Sequence, residues 1–198
     1  METGARLAAV RRLRLGIDLD GVVADFNAGW MQIHRDEFGS DLDPQMVTTW
    51  DGLAELGGFA DMAAFWRWAQ GTADRPSIFR HLEPYPDALP TLRALRAEGH
   101  RLVVITTKPE WAIHDTFRWL ADHEFPTGEV HITYDKAAVD CDVYLDDSPT
   151  VVPELVRGRP DRLVWRFVRP WNRPVDGAVD VDDWNAFHAA VTQRSRSI

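Results

Sequence analysis

The stretch RLRLGIDLDGVVADF, residues 12–26, decides how the rest of the chain is read. A run of Leu and Ile ends in two aspartates one residue apart, Asp18 and Asp20. Glycine follows at position 21, then a second apolar run and a third aspartate, Asp25. Two carboxylates this close repel each other, and burying either one unpaired is costly. In an extended strand, residues i and i+2 share a side, so Asp18 and Asp20 point the same way. Whatever compensates them must come from elsewhere in the chain.

Working outward, 198 residues suffice for one good core with a smaller inserted subdomain. The hydrophobic fraction of 45% and the charged fraction of 27% are those of an ordinary globular protein. No apolar stretch reaches the roughly 18 residues of a membrane span. The opening METGARLAAVRRLRLGID has arginines but no long apolar segment with a small-residue cleavage site, so it reads as a solvated tail entering the first strand. Cys141 is the only cysteine, which excludes an internal disulfide and a cysteine-based zinc site and suits a reducing cytoplasm. A net charge of −9 argues against a nucleic acid polymer as partner. A small anionic substrate stays compatible if local cations and a metal offset the field. Of nine tryptophans, five fall between Trp30 and Trp111, a clustering that average composition does not explain.

Strand-like runs recur at residues 13–19, 101–106, 129–133, 142–146 and 162–168. They are short and apolar, as strands covered on both faces are. Between them lie helical patterns: DALPTLRALRAEGH, with Leu89, Leu92 and Leu95 in phase and Gly99 as its stop, and EWAIHDTFRWLADH, with Trp111, Phe117 and Leu120. This alternation predicts an α/β fold, a Rossmann-like parallel sheet with helices on both faces. Residues 27–84 break the rhythm with helical and aromatic material and no strand, too long for a single crossover. They are expected to form a small helical cap inserted after the first strand, with residues 1–26 and 85–198 as the core.

In a parallel sheet, ligands bind beyond the carboxyl ends of the strands. Asp18 and Asp20 sit at one such end, Thr106 and Thr107 at another, Asp146 and Asp147 at a third, and Lys136 in the loop after a fourth. An acidic pair after a strand is commonly a turn or a helix cap; two acidic pairs, hydroxyls and a lysine on one edge suggest metal-assisted phosphoryl transfer. Carboxylate oxygens suit Mg²⁺, one carboxylate can attack phosphorus, and a second can protonate the leaving alkoxide and later activate water. Lys108 beside this edge is a further candidate for the phosphate, while Asp25 is expected to cap the following helix. His34, His81 and His114 show no metal-ligand spacing.

DLDGVVAD, VVITT, Lys136 and YLDDSP resemble, in order, the four motifs of the haloacid dehalogenase superfamily in its Asp–x–Asp phosphatase form. Within it, DLDGVVADFNAG, IFRHLEPYPDAL and TYDKAAVDCDVYLDDSP are similar to the 5′(3′)-deoxyribonucleotidase family. The resemblance implies Asp18 as nucleophile and Asp20 as general acid/base, with Thr106 and Lys136 on the phosphate and Asp146 orienting Lys136. It implies a Mg²⁺ held by Asp18, the backbone carbonyl of Asp20 and Asp147, with Asp146 as a further candidate ligand. Phe26 falls where that family places an aromatic against the nucleobase, and Thr107 and Lys108 are the other substrate-binding candidates. Two departures stand out. The second motif reads Thr106-Thr107-Lys108-Pro109 where the family typically has Thr–Ser–Pro, and Tyr134 replaces the arginine of a typical Arg–Asp–Lys.

The expected protein is thus a cytoplasmic, Mg²⁺-dependent phosphomonoesterase for a small phosphate ester, a nucleoside monophosphate above all. A phosphatase for another small metabolite, a phosphomutase, and a non-catalytic protein of the same fold are the alternatives. A dehalogenase would leave Asp20 no proton to deliver. Sequence leaves the oligomeric state open.

Overall fold

A computed structural model describes residues 11–196. The tail expected ahead of the first strand lies, over residues 1–10, outside the described residues. Strands β1 (Arg14–Ile17), β2 (Arg101–Thr106), β3 (Val130–Ile132), β4 (Val143–Asp146), β5 (Leu163–Phe167) and β6 (Ala178–Val181) form one sheet, in the order β3-β2-β1-β4-β5-β6. Every pairing is parallel. Alternate residues of the same strand enter different cores. Leu102 and Val104 pack with Leu15, Ile17, Leu145 and Phe167 on one face. Val103 and Ile105 pack with Tyr144, Val164, Val152 and Leu155 on the other. Both faces are therefore dry, which is why the strands read as nearly unbroken apolar runs.

Helices α4 (Ala88–Ala97), α5 (Ile113–Asp122), α6 (Val151–Gly158) and α7 (Trp184–Arg196) cover the sheet. Gly99 ends the α4 region with φ +95°, a conformation that favours glycine. In α5 the buried stripe is Thr116, Trp119 and Leu120, whereas Phe117 is exposed. The expected stripe through Trp111 and Phe117 fails because Trp111 precedes the helix in a 3₁₀ turn, and this shifts the phase. β6 and α7 were not anticipated. β6 is a four-residue edge strand, AVDV, with an aspartate in it; α7 carries Trp184, Phe187 and Val191 at i, i+3 and i+7, a legible spacing. None of the described helices is long and apolar enough to cross a membrane.

Between β1 and β2 the chain forms α1 (Phe26–Phe38), α2 (Leu53–Leu56) and α3 (Met62–Ala69), with 3₁₀ turns at Pro44–Met46 and Ile78–Arg80. Asp25 accepts from the Ala28 N–H at 3.0 Å and so caps α1. The outgoing and returning chains run side by side: Asp25 N–H donates to Glu83 O at 2.8 Å and Tyr85 N–H to Val23 O at 2.8 Å. The tryptophan-rich segment is largely the interior of this unit. Trp30 meets Phe65 edge-on at 5.5 Å, and Phe59 and Trp68 close around them. Edge-to-face contacts of this kind add about 0.5–1.5 kcal/mol each beyond area burial.

Candidate active site

The strand order reverses at β1: β2 and β3 lie on one side, β4 to β6 on the other. Crevices at such reversals are where parallel sheets bind ligands. Ile17 stands opposite Leu145 in β4, so Asp18, one step on, comes level with Asp146. The Asp18 N–H donates to Leu145 O at 3.0 Å, holding the strand end in place. The strand stops sooner than its apolar run suggests, because the amides of Val22, Val23 and Ala24 all turn back onto Leu19 O. Asp20 therefore sits in a turn, not in an extended strand.

Each of the two opening carboxylates has its own lysine. Lys136 Nζ stands 2.9 Å from Asp18 Oδ1 and 2.7 Å from Asp146 Oδ2, and all three side chains are nearly inaccessible. Lys108 forms a close ion pair with Asp20, and its ammonium lies 4.0 Å from the Phe79 ring centroid. Lys108 lies two residues past Thr106, the last residue of β2, so its side chain reaches the turn from the neighbouring strand end. Burial raises the Asp20 carboxyl despite the opposing charge of Lys108, an environment suited to a group that must carry a proton.

Asp18, Asp146 and Asp147 bring one oxygen each within 4.8 Å of one another, all buried. Burial pushes Asp146 up to about 6 against the pull of Lys136, with the Asp18 charge adding to the rise. Asp147 is driven well above the carboxylate range by burial, then by the charges of Asp146 and Asp18. Burial alone would lower Lys136, but Asp146 and Asp18 outweigh it and hold the ammonium above its usual value. One lysine among three carboxylates leaves a deficit of positive charge. Asp147 Oδ1 and the Thr106 hydroxyl are also buried without a hydrogen-bond partner among the described residues. An all-oxygen, anionic, under-satisfied cluster fits a hard divalent cation. The Asp20 carboxylate lies outside this group, so its expected part in metal binding rests on the backbone carbonyl.

The other candidates fall around this centre. Thr106 ends β2 fully buried with its hydroxyl unpaired. The Thr107 hydroxyl donates to Thr133 O at 2.9 Å, so its proton is already committed. Phe26, the first residue of α1, stands 6.0 Å from Trp66 and 5.8 Å from Phe79, and Phe79 stands 5.7 Å from Trp111. These four rings form one cluster, drawn from α1, α3, the 3₁₀ turn at Ile78–Arg80 and the 3₁₀ turn that precedes α5. Tyr134 is exposed on the loop after β3.

A family model described as "5′ nucleotidase, deoxy (Pyrimidine), cytosolic type C protein" matches residues 11–196. The chain belongs to the 5′(3′)-deoxyribonucleotidase family. It is therefore a member of a family of phosphoric monoester hydrolases. A Chlorobaculum tepidum protein provisionally named 5′(3′)-deoxyribonucleotidase is 33% identical over 153 residues, covering 73% of this chain and 74% of its own. The human cytosolic-type 5′(3′)-deoxyribonucleotidase is 29% identical over 171 residues, covering 80% of this chain and 79% of its own. Among solved structures, a haloacid dehalogenase-family hydrolase of Bacillus subtilis bound to magnesium aligns with a TM-score of 0.61 at 13% identity, over 91% of this chain and 99% of its own. That likeness confirms the fold.

Sequence reasoning missed three residues of this candidate site, all in the RPWN segment after β5. Arg169 Nε donates to Gly21 O at 2.6 Å, and its guanidinium lies 4.1 Å from the Tyr85 ring centroid and 4.3 Å from that of Phe167. Trp171 Nε1 donates to Asp147 Oδ2 at 2.8 Å, and Asn172 Nδ2 to Asp147 O at 2.7 Å. The available signal was their place at the carboxyl end of a further parallel strand.

Proposed function

We propose that the protein is a Mg²⁺-dependent phosphomonoesterase that acts on nucleoside monophosphates through an aspartyl-phosphate on Asp18. The carrying observation is the buried Asp18–Lys136–Asp146 bridge with Asp147 beside it, at the reversal point of the sheet. Lys136 occupies Oδ1 of Asp18, which leaves Oδ2 to attack phosphorus. As that bond forms, the bond from phosphorus to the leaving oxygen breaks, and Asp20 gives its proton to the departing alkoxide. Asp20, now a carboxylate, takes a proton from water, which attacks phosphorus and breaks the bond to Asp18. Inorganic phosphate leaves and both aspartates return to their starting state.

Asp18, Asp147 and the carbonyl of Asp20 would hold the Mg²⁺, with Asp146 engaged by Lys136. Bound there, the ion neutralises phosphate oxygens and orients the ester for in-line attack. Lys136 and the free hydroxyl of Thr106 face the same phosphate. Residues 27–84 serve as the cap, and the Phe26, Trp66, Phe79 and Trp111 rings offer the apolar platform a nucleobase stacks on. The names of the relatives support a nucleotide substrate, and hence a nucleoside leaving group. A reducing, cytoplasmic setting agrees with the buried free thiol of Cys141 and the cytosolic-type relative.

The test is phosphate release from a panel of deoxyribonucleoside and ribonucleoside monophosphates, sugar phosphates and p-nitrophenyl phosphate, with Mg²⁺ or EDTA. The expected outcome is metal-dependent turnover with the highest kcat/KM on nucleotides, lost in Asp18→Asn. Sugar phosphates outperforming nucleotides would overturn the substrate assignment, and full activity of Asp18→Asn would overturn the chemistry.

A further inference from the structure

The RPWN segment is wired more tightly than a surface loop requires. The Asn172 carboxamide is fully used: Nδ2 donates to Asp147 O at 2.7 Å and Phe167 O at 2.9 Å, while Oδ1 accepts from the Arg169 N–H at 3.1 Å and from the Arg166 guanidinium. Arg166 is in turn gripped by Asp180 of β6, at 2.8 and 2.5 Å. This chain of contacts fixes the loop so that the Trp171 indole N–H meets Asp147 Oδ2 at 2.8 Å. Gly21 is packed against the same oxygen. A Cβ there would stand 2.2 Å from Oδ2. Oδ2 is thus walled between an indole donor and backbone, while Oδ1 is buried without a partner.

We propose that Trp171 is a positioning residue that confines Asp147 to one coordinating oxygen, Oδ1, and thereby biases the site toward Mg²⁺ over Ca²⁺. The inference rests on the proposed reading that Asp18, Asp147 and the backbone carbonyl of Asp20 hold a divalent cation. Ca²⁺ takes six to eight oxygens at about 2.3–2.6 Å and accepts both oxygens of one carboxylate. Mg²⁺ demands a near-octahedral shell at about 2.0–2.1 Å and is served by single oxygens. With Oδ2 held by the indole, Asp147 cannot chelate through both oxygens unless that hydrogen bond breaks. A partner that merely packs would favour neither ion.

The test titrates Mg²⁺ and Ca²⁺ separately into the metal-stripped full-length protein by calorimetry, wild type against Trp171→Phe. A second protein carries the isosteric benzothiophene ring in place of the Trp171 indole, which removes only the N–H and covers the case that Trp171→Phe fails to fold. Outer contacts of this kind typically carry about 10- to 100-fold in metal affinity. The expected result is Mg²⁺ binding weakened about tenfold, with Ca²⁺ weakened less or tightened, so that selectivity moves toward Ca²⁺. Equal weakening of both ions, or no change in either, would overturn the inference while leaving the metal site intact. Wild-type protein that binds neither ion, or Asp147→Asn that binds both unchanged, would overturn the metal-site reading and this inference together.

Discussion

Replacing Lys136 with methionine removes the only cation, among the described residues, that touches both Asp18 and Asp146. Its ammonium lies 2.9 and 2.7 Å from the two carboxylates, and the three side chains are 5%, 9% and 2% exposed. Deleting one partner of a buried pair strands the other charges, which typically costs about 3–5 kcal/mol. The lower figure applies here, because Asp146 already lies near 6 and can take a proton instead of remaining an uncompensated anion. About 3 kcal/mol corresponds to a fall in Tm of roughly 6–12 °C for a chain of this size. The pH dependence has a definite sign. Asp146 is raised in the folded state, so its contribution to stability is full below its unfolded value and is lost as pH rises through about 6. Without Lys136 its carboxyl rises further, and the deficit of Lys136→Met must grow from pH 5 to pH 8. Scanning calorimetry in EDTA at both pH values measures this, and a repeat in saturating Mg²⁺ should narrow the gap by supplying the missing positive charge. A Tm unchanged at pH 8, or an equal loss at pH 5 and pH 8, would show that Lys136 does not hold the Asp146 charge in place.

Two further substitutions probe the same centre. Lys108→Met removes the cation beside Asp20, so the carboxyl rises further and the kcat/KM limb that reports it moves to higher pH; an unshifted profile would separate Lys108 from Asp20. Gly21→Ala places a methyl 2.2 Å from Asp147 Oδ2 at a backbone φ of +74°. Urea unfolding should show a loss of about 1–3 kcal/mol, accompanied by weaker Mg²⁺ binding, and unaltered metal affinity would contradict the packing described.

Much of the fold was written in local pattern. Strands buried on both faces leave continuous apolar runs, and the five that carry site residues or flank them were readable for that reason. β6 was not, since AVDV is short, lies at the sheet edge and spends Asp180 on Arg166 rather than on a core. α7 had a legible stripe in Trp184, Phe187 and Val191, but it lies beyond the last run that carried chemistry. The acidic residues were legible because a strand that ends in carboxylates has no structural need of them. Lys108 was harder to weigh: a lysine beside a strand end is ordinarily solvated, and only the fold reveals that Phe79 and Asp20 enclose it. Trp171 and Asn172 were invisible as site residues, because their link to Asp147 crosses 24 and 25 positions of chain and follows no periodicity.

Phosphorylation of Asp18 is read out by rapid acid quenching of enzyme turning over a deoxyribonucleoside monophosphate with Mg²⁺, reduction with borohydride, and peptide mass spectrometry. An acyl phosphate is reduced to an alcohol, so homoserine is expected at position 18, dependent on substrate and absent from Asp18→Asn. Homoserine at another carboxylate, or turnover with no reducible intermediate at any quench time, would contradict phosphorylation of Asp18.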